Sequence, residues 1–350
     1  MNQTWRSRCG FPGTLACHVL AGWVAFWLAP AAHAEWLYRE APIMGTRCDV
    51  ELWTEDRASG EAAIAAVFAE LRRIDAEFST FKPESEVSRV NADAAKAPMP
   101  ISRELYDLIQ TSIDYSVLTR GSFDITYASV GYLYNYPEHI RPSEAQIAAA
   151  LPAISYRHIH LDPAARTVFF DRPGVRIDFG GIGKGYAVDR GIAVLQAAGI
   201  THAMVNAGGD SRVIGDRFGK PWIVAIRDPD DSTHAALKIP LSDTAFSTSG
   251  DYERYFDEGG VRYHHILDPK TGKSPHKVRS VTIIAPTATR SDALTKSVFV
   301  MGVREGIEFI NTLPDVDAVA ITPDRKLWYS KGLEPPEPDA AGGSGSQKKP

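Results

Sequence analysis

The segment IDFGGIGKGYAVDR, residues 177–190, places four glycines and one lysine between a strand-like stretch and a helical one. Apolar residues at alternate positions from Val175 to Phe179 predict a strand. Residues 186–198 have helical character and are followed by Gly199, a residue typical of helix ends. The chain must therefore pass from a strand into a helix through almost bare backbone.

The glycine spacing excludes two common phosphate-binding motifs. A P-loop needs a glycine five residues before its Gly-Lys-Ser/Thr, but Asp178 stands there and Gly185 follows Lys184. A dinucleotide fingerprint needs G-x-G-x-x-G, whereas these glycines alternate. Bare backbone at a helix N-terminus still favours an anion site. A tight turn with close helix packing explains the glycines equally well.

Composition limits the class of protein. The 350 residues are 44% hydrophobic and carry a formal net charge of -5, so a real core is expected and an electrostatic nucleic-acid binder is disfavoured. Helical periodicity in residues 60–79 and 103–119, beside many short strand patterns, predicts an α+β fold.

The N-terminus has the pattern of a secretory signal peptide, predicted over residues 1–34. Arg6 and Arg8 precede an apolar run from Leu15 to Leu28, and Ala32-His33-Ala34 resembles a cleavage box. An uncleaved anchor is the alternative. Cleavage would leave Cys48 alone, in a strand pattern that predicts a buried thiol. We expect one domain over residues 35–333 and a disordered tail over 334–350, which lacks apolar residues to bury.

Polar residues beside glycines recur at predicted strand ends along the chain. Together, and in order, these motifs resemble the ApbE family of FAD:protein FMN transferases: MGT at 44–46, STFKPESEVSRVN, GSFDIT, DFGGIGKGYAVDR, VNAGGD, TSGDYERYF, HILDPKTG and SVTIIAPTATRSDALTKSVFVMG. The resemblance covers nearly all of residues 36–332. It implies a T-fold-like α+β architecture with mixed or antiparallel sheets and flanking helices.

The resemblance also implies an activity. A Thr or Ser hydroxyl of an acceptor flavoprotein would attack the FMN-side phosphate of FAD, with Mg2+ bound, and AMP would leave. Because of the leader, we expect an exported, periplasmic or cell-envelope enzyme whose acceptor is a membrane-bound redox subunit exposed outside the cytoplasm. No nucleic acid is expected as a partner, and membrane association only if the leader stays uncleaved.

The motifs carry the family's FAD contacts onto particular positions. Lys184 would supply positive charge to the pyrophosphate beside the glycines, and Met44 and Phe81 would lie against the flavin. The full set of expected contacts is Met44, Phe81, Ser122, Phe123, Asp124, Asp178, Lys184, Asn206, Gly208, Gly209, Asp210, Ser249, Gly250, Tyr252 and Ile266.

Two adjacent histidines need to be distinguished. His265 of HHILDP matches the family histidine proposed to help deprotonate the acceptor hydroxyl, and imidazole accepts protons near neutral pH. The alternative is a structural turn histidine beside Asp268. His264 has no such match and is expected to be a bystander.

The expected metal site departs from the family pattern. Asp292 matches the metal carboxylate and Gly181 the carbonyl ligand, but the position one turn after Asp292, normally Thr, is Lys296. Thr295 is the neighbouring hydroxyl. We expect Mg2+ to bind through Asp292, Gly181 and Thr295, more weakly because of the Lys296 charge. A simple i, i+4 pair of Asp292 with Lys296 is the other interpretation.

Two other functions stay open at this stage. The altered metal position is compatible with an FAD-binding or delivery protein that has no transferase activity. A metal-dependent FAD pyrophosphatase would use water in place of the acceptor hydroxyl.

Overall fold

The structure, a computed structural model, describes residues 34–231 and 233–333. The predicted tail and all but the last residue of the predicted leader lie outside these residues. Within them, no helix combines the length and the apolar character needed to cross a membrane.

The described chain is built from strands and helices in mixed order. The strands are β1 (Glu35–Ile43), β2 (Thr46–Thr54), β3 (Met99–Pro100), β4 (Ile159–Asp162), β5 (Thr167–Phe170), β6 (Ala203–Ala207), β7 (Asp210–Ile214), β8 (Trp222–Arg227), β9 (Ala235–Leu241), β10 (Ala245–Gly250), β11 (Tyr255–Glu258), β12 (Val261–His264), β13 (Ser280–Ala285), β14 (Asp317–Ile321) and β15 (Leu327–Tyr329). The helices are α1 (Arg57–Phe78), α2 (Glu86–Asp93), α3 (Arg103–Leu118), α4 (Ala128–Gly131), α5 (Glu144–Ala150), α6 (Gly183–Ala197), α7 (Ala288–Met301) and α8 (Val303–Ile310).

One large antiparallel sheet organises the molecule, with the strand order β1-β2-β6-β7-β10-β13-β14-β15. Smaller sheets are β3-β5-β4, β8-β9 and β11-β12. This arrangement confirms the predicted α+β class.

Helices α1, α6 and α7 pack on one face of the large sheet. In α1, Ile64, Val67 and Leu71 recur at helical spacing and are buried in a core that also contains Cys48. The α1 N-terminus is capped by Asp56, whose carboxylate accepts the Ser59 N–H at 2.9 Å. The predicted buried thiol is confirmed, since Cys48 is fully buried.

The opposite face of the sheet is covered by the hairpin β8–β9. Alternate residues of β8 point inward, and Trp222, Val224 and Ile226 form an apolar cluster with Val213 and Val319 of the large sheet. The hairpin thus closes a second apolar layer on the side away from the helices.

The prediction of a strand over residues 175–179 is wrong, because this segment pairs with no other strand. The alternate residues predicted to be buried are buried. Val175, Ile177 and Phe179 are buried, but the backbone pairs with side chains instead of with another strand. The Asn91 amide accepts the Ile177 N–H at 2.7 Å and donates to the Ile177 carbonyl at 2.9 Å. Ser129 Oγ accepts the Arg176 N–H at 3.0 Å. Alternating apolar residues predict which side chains are buried, but they do not predict which groups the backbone hydrogen-bonds to.

The sequence pattern also predicts a helix from Asp292 to Met301 and a strand over YHHILDP, and one boundary of each differs in the structure. Helix α7 begins at Ala288, four residues before Asp292, because Thr287 caps it by accepting the Arg290 N–H. Strand β12 ends at His264, so the strand predicted over the YHHILDP segment stops before His265.

Candidate functional site

A pocket opens beside the glycine loop, between α7 and the segments after α3 and β12. Its lining combines apolar side chains with a few polar ones, as ligand sites commonly do. The lining residues are Ser122, Phe123, Asp124, Ile125, Tyr127, Asp178, Gly180, Gly181, His265, Ile266, Leu267, Pro269 and Lys296.

Asp178 organises the glycine side of this pocket. Its carboxylate accepts the Thr80 hydroxyl at 2.6 Å, the Tyr127 hydroxyl at 2.9 Å and the Gly180 N–H at 2.6 Å. The sequence patterns did not single out Thr80 or Tyr127, although Thr80 lies within the STFKPESEVSRVN motif and Tyr127 directly follows GSFDIT. Asp178 therefore joins three segments that are far apart in sequence.

Asp124 lies in the pocket wall but uses its carboxylate as a cap. It accepts the Thr126 N–H at 2.9 Å, the Thr126 hydroxyl at 2.6 Å and the Tyr156 N–H at 2.7 Å. The Asp124 side chain thus fixes the backbone around its neighbours Ser122 and Phe123, which also line the pocket.

Two lysines and two aspartates form a buried cluster next to the pocket. Lys184, in the first turn of α6, pairs with Asp210, and its Nζ is 4.0 Å from Asp292 Oδ2. Lys296 pairs with Asp292 Oδ1 across one turn of α7. Asp210 and Asp292 are almost fully buried. The pairing of Asp292 with Lys296 is therefore present, and the four side chains sum to zero net charge.

The remaining contacts of Asp292 and Thr295 hold this cluster in place. Asp292 Oδ2 accepts the Gly185 N–H at 3.0 Å. The Thr295 hydroxyl donates to the Asp292 carbonyl at 2.7 Å and shares a 2.8 Å hydrogen bond with Ser249 of β10. Lys296 Nζ is 3.1 Å from the same hydroxyl. Thr295 thus faces the sheet, with its donor and both acceptor positions in use.

The charges of the cluster stabilise one another. Burial lowers the pKa of Lys184, but the carboxylates of Asp210 and Asp292 outweigh it and hold that pKa above its ordinary value. Burial raises the pKa of Asp292, yet Lys184 and Lys296 bring it below the usual range. Lys184 is therefore an ammonium ion and Asp292 a carboxylate at neutral pH, while burial and the neighbouring charge of Asp292 raise the pKa of Asp210.

The two adjacent histidines face different surroundings. His265 lines the pocket, and its Nδ1 is buried with no partner among the described residues. Burial, followed by the charge of Lys296, lowers the pKa of His265 to about 3, which leaves the imidazole neutral. His264 is fully buried and its Nε2 lies 2.7 Å from the Pro275 carbonyl. Only His265 is thus placed to meet a ligand.

The glycine loop contains glycines of two kinds. Gly180 and Gly181 line the pocket. Gly185 instead lies against α7, where an added Cβ would be 2.8 Å from the Asp292 Cβ and would clash with the Ala288 carbonyl. The close-packing interpretation is confirmed at Gly185, whereas the anion site stays a prediction for Gly180 and Gly181.

Met44, Gly208 and Gly209 occupy neighbouring hairpin turns. Met44 (φ 56°) and Gly45 (φ 66°) form the two-residue turn between β1 and β2, and Gly208 (φ 60°) and Gly209 form the one between β6 and β7. A Cβ on Gly208 would clash with Thr46, which follows the first turn. The left-handed backbone at Met44 is unusual for a side chain of this size and is of the kind found at functional sites.

The remaining residues predicted to contact FAD have different surroundings. Phe81 is 86% exposed, which excludes an ordinary core role for its ring. Asn206 fixes the Gly208–Gly209 turn through Ser211 (2.8 Å) and Asp49 (2.9 Å). Ile266 lines the pocket, whereas Ser249 and Gly250 end β10, where Ser249 hydrogen-bonds to Thr295, and Tyr252 follows the strand by two residues.

The chain is similar in sequence to proteins of one family over most of its length. The model of the ApbE family matches residues 44–320. A curated FAD:protein FMN transferase of Treponema pallidum is 32% identical over 310 residues, covering 83% of this chain and 86% of that protein. One from Vibrio cholerae is 29% identical and covers 86% of this chain and 93% of that protein.

Solved structures agree with the sequence relatives. The crystal structure of the ApbE protein of Thermotoga maritima superposes with a TM-score of 0.79 at 32% identity, covering 85% of this chain and 98% of that one. The flavin transferase ApbE of Vibrio cholerae gives a TM-score of 0.76 at 28% identity, with the same two coverages.

Proposed function

This chain belongs to the ApbE family, and from that premise we propose that it is an FAD:protein FMN transferase acting on a Thr or Ser hydroxyl of an acceptor flavoprotein. The observation that carries the proposal is one pocket whose lining includes His265, Lys296 and the backbone of Gly180 and Gly181. A base and a cation beside bare backbone are what phosphoryl transfer to a hydroxyl needs.

At the FMN-side phosphorus of FAD, the reaction forms one bond and breaks one. The acceptor oxygen bonds to the FMN-side phosphorus of FAD, the bond from that phosphorus to the bridging oxygen breaks, and AMP leaves with the bond's electron pair. The hydroxyl proton passes to the imidazole of His265. Burial lowers the pKa of His265 and makes it a weak base, but the negative charge of a bound phosphate would raise that pKa.

The flavin end of FAD would be held by the exposed ring of Phe81 and by Met44 at its hairpin turn. The phosphates would lie near the glycine loop, with Lys184 behind it. This arrangement predicts that FAD binds more tightly than riboflavin, because riboflavin has no phosphate to meet the lysines.

Mg2+ is the other group that the family resemblance implies. Asp292 holds Lys296 on one carboxylate oxygen and Gly185 N–H on the other, and the Thr295 hydroxyl is fully used. The buried cluster has no negative excess to attract a divalent ion. The residues as arranged do not fit Mg2+, so no step is assigned to it.

Export and the class of acceptor belong to the same proposal. The basic, apolar and small-residue pattern of residues 1–34 supports secretion. An exported transferase would serve a redox subunit exposed outside the cytoplasm. Microscopy of a C-terminally tagged protein tests the location, and retention in the cytoplasm would contradict it.

Turnover tests the activity. The protein is mixed with FAD and the flavin-free flavoprotein encoded nearest to its gene, and AMP release and in-gel flavin fluorescence of the acceptor are measured. His265→Ala should lower the rate by about 10² to 10⁴ while FAD still binds. His264→Ala should keep the rate per folded molecule.

The outcomes separate the three functions. Fluorescence on the acceptor together with AMP supports the transferase. AMP with free FMN and no acceptor indicates a pyrophosphatase, and tight FAD binding without AMP indicates a delivery protein. Equal loss of rate in the two histidine variants would contradict the role given to His265.

A further inference from the structure

Lys296 of α7 is largely buried, which is unusual for a lysine side chain. Its side chain is only 15% exposed and lines the pocket, and its stem runs along the glycine loop. A Cβ on Gly181 would be 3.3 Å from the Lys296 Cγ, so loop and stem are in contact. The ammonium is therefore brought to the part of the pocket where the loop leaves backbone uncovered.

The ammonium is held by two oxygens from its own helix. One donor goes to Asp292 Oδ1 and another to the Thr295 hydroxyl at 3.1 Å. An ammonium has three donors. No third partner of Lys296 is present in residues 34–231 and 233–333, and the pocket adjoins its side chain.

The oxygens that hold Lys296 are themselves fixed. Asp292 is tied to α6 through the Gly185 N–H, and Thr295 is tied to β10 through Ser249. Because both supports are buried, the ammonium cannot move far without leaving a buried carboxylate unpaired. A carboxylate and a hydroxyl around a positive centre form the kind of oxygen set that a bound cation would otherwise occupy.

We infer, building on the proposed transferase activity, that Lys296 is a catalytic residue that supplies a built-in cation. Its third donor binds a non-bridging oxygen of the FMN-side phosphate of FAD, and transfer proceeds with no divalent metal ion. Lys296 exchanges no proton or electron in the step, since it remains an ammonium while the acceptor oxygen replaces AMP on phosphorus. Its contribution is charge and position, the two factors on which phosphoryl transfer mainly depends.

The charge balance supports this assignment. Without ligand the two lysines are matched by two aspartates, and phosphate oxygens in the pocket would add the negative charge that the third donor meets. A divalent ion at Asp292 would have to displace Lys296 and then lie close to both ammonium groups. The lysine and a metal are thus competitors for one place.

FAD binding provides the first test because it needs no turnover. Flavin fluorescence titrations are performed in excess EDTA with wild type, Lys296→Met and Lys296→Thr. Loss of one charge-assisted hydrogen bond should weaken FAD binding by about 10- to 100-fold, with riboflavin affinity unchanged. Lys326→Met, at a side chain 72% exposed and paired with Asp324, is the charge-matched control and should bind as wild type.

Metal dependence provides the second test. Wild type should bind FAD and release AMP equally well in EDTA and in millimolar MgCl2. Lys296→Thr places an oxygen one helical turn after Asp292, so this variant should be inactive in EDTA and become active with MgCl2. Lys296→Met should be inactive in both, with circular dichroism and thermal unfolding showing that it is folded.

Failure of the inference differs from failure of the proposed function. Wild type that loses AMP release in EDTA and regains it with MgCl2 overturns the built-in cation and leaves the transferase standing. Wild-type FAD affinity that is unchanged by Lys296→Met also overturns it. Absence of AMP release from wild type in both buffers contradicts the transferase, and the binding titration then decides the role of Lys296 alone.

Discussion

The two faces of the large sheet are built on different chemistry, and β10 shows the contrast best. Toward the helices it presents Ser247 and Ser249, which hydrogen-bond to Ser291 (2.7 Å) and Thr295 (2.8 Å) of α7. Toward the β8–β9 hairpin it presents Phe246, which packs in an apolar cluster with Trp222.

The difference separates positioning from stability. Buried apolar area stabilises by roughly 25 cal/mol per Å², whereas a net hydrogen bond contributes about 0.5–1.5 kcal/mol and demands a defined geometry. The polar contacts around β10 therefore fix the register of α7, and with it Asp292 and Lys296. The hairpin face supplies apolar burial and carries none of the pocket residues.

The largest expected effect comes from breaking the hairpin face. Trp222 is 3% exposed and meets Trp36 edge-on at 5.3 Å. Trp222→Ala should lower the free energy of unfolding by roughly 3–5 kcal/mol, measured by denaturant titration. AMP release by the folded protein should stay within about twofold at low temperature, since a hairpin residue does not position the pocket. If Trp222→Ala greatly lowered the rate of AMP release and left stability unchanged, the hairpin face would not be the stabilising one.

A pH titration sharpens the comparison on the helical face. Burial lowers the pKa of His264 to about 4, and its ring packs edge-on against Phe299 of α7 at 5.4 Å. The unfolded chain binds a proton near pH 6.5, so it takes up more protons than the folded chain between about pH 6.5 and 4. The contribution of His264 to stability is therefore complete above this window and decreases by about 3 kcal/mol as the pH falls through it.

The matched variant is His264→Gln, which keeps a donor for the Pro275 carbonyl and cannot titrate. Its unfolding free energy should depend less on pH across this window, although His265, also with a lowered pKa, contributes to the remaining slope. An unchanged pH dependence in His264→Gln would show that the pKa of His264 is the same in the folded and the unfolded chain.

The smallest effect compares two glycines within the site. Gly185→Ala places a methyl group against the Ala288 carbonyl and 2.8 Å from the Asp292 Cβ, and such overpacking costs roughly 1–3 kcal/mol. Gly181→Ala would meet only Phe123 and Lys296 side chains at 3.2 and 3.3 Å. We expect Gly185→Ala to lose stability and Gly181→Ala mainly FAD affinity, measured by thermal unfolding and fluorescence titration. Equal stability losses would contradict the two kinds of glycine.

Local features were predictable from the sequence. Helix α3 lies where the apolar periodicity of residues 103–119 predicts it, and α6 ends before Gly199, whose φ of 80° suits a helix C-terminus. The pairing of Asp292 with Lys296 follows from i, i+4 spacing, and the order of motifs indicated the family.

Features that depend on distant segments were not predictable. Thr80 and Tyr127 meet at Asp178 although they are far from it in sequence. Asn91 replaces a strand partner for Ile177. No local pattern reports that Asp292 is fully buried or that the Lys296 ammonium lines a pocket. These contacts arise from tertiary packing, so they cannot be predicted from local periodicity or residue spacing.

The position of β2 in the sheet has a consequence for synthesis of the chain. Its partners are β1, which precedes it at once, and β6, with Leu52 opposite Ala203. Translation at 5–20 residues per second separates those two positions by roughly 8 to 30 s. During that interval one edge of β2 has no strand to pair with, and unpaired edges invite association between chains. Nascent copies of this protein need that edge shielded until the second half of the sheet arrives.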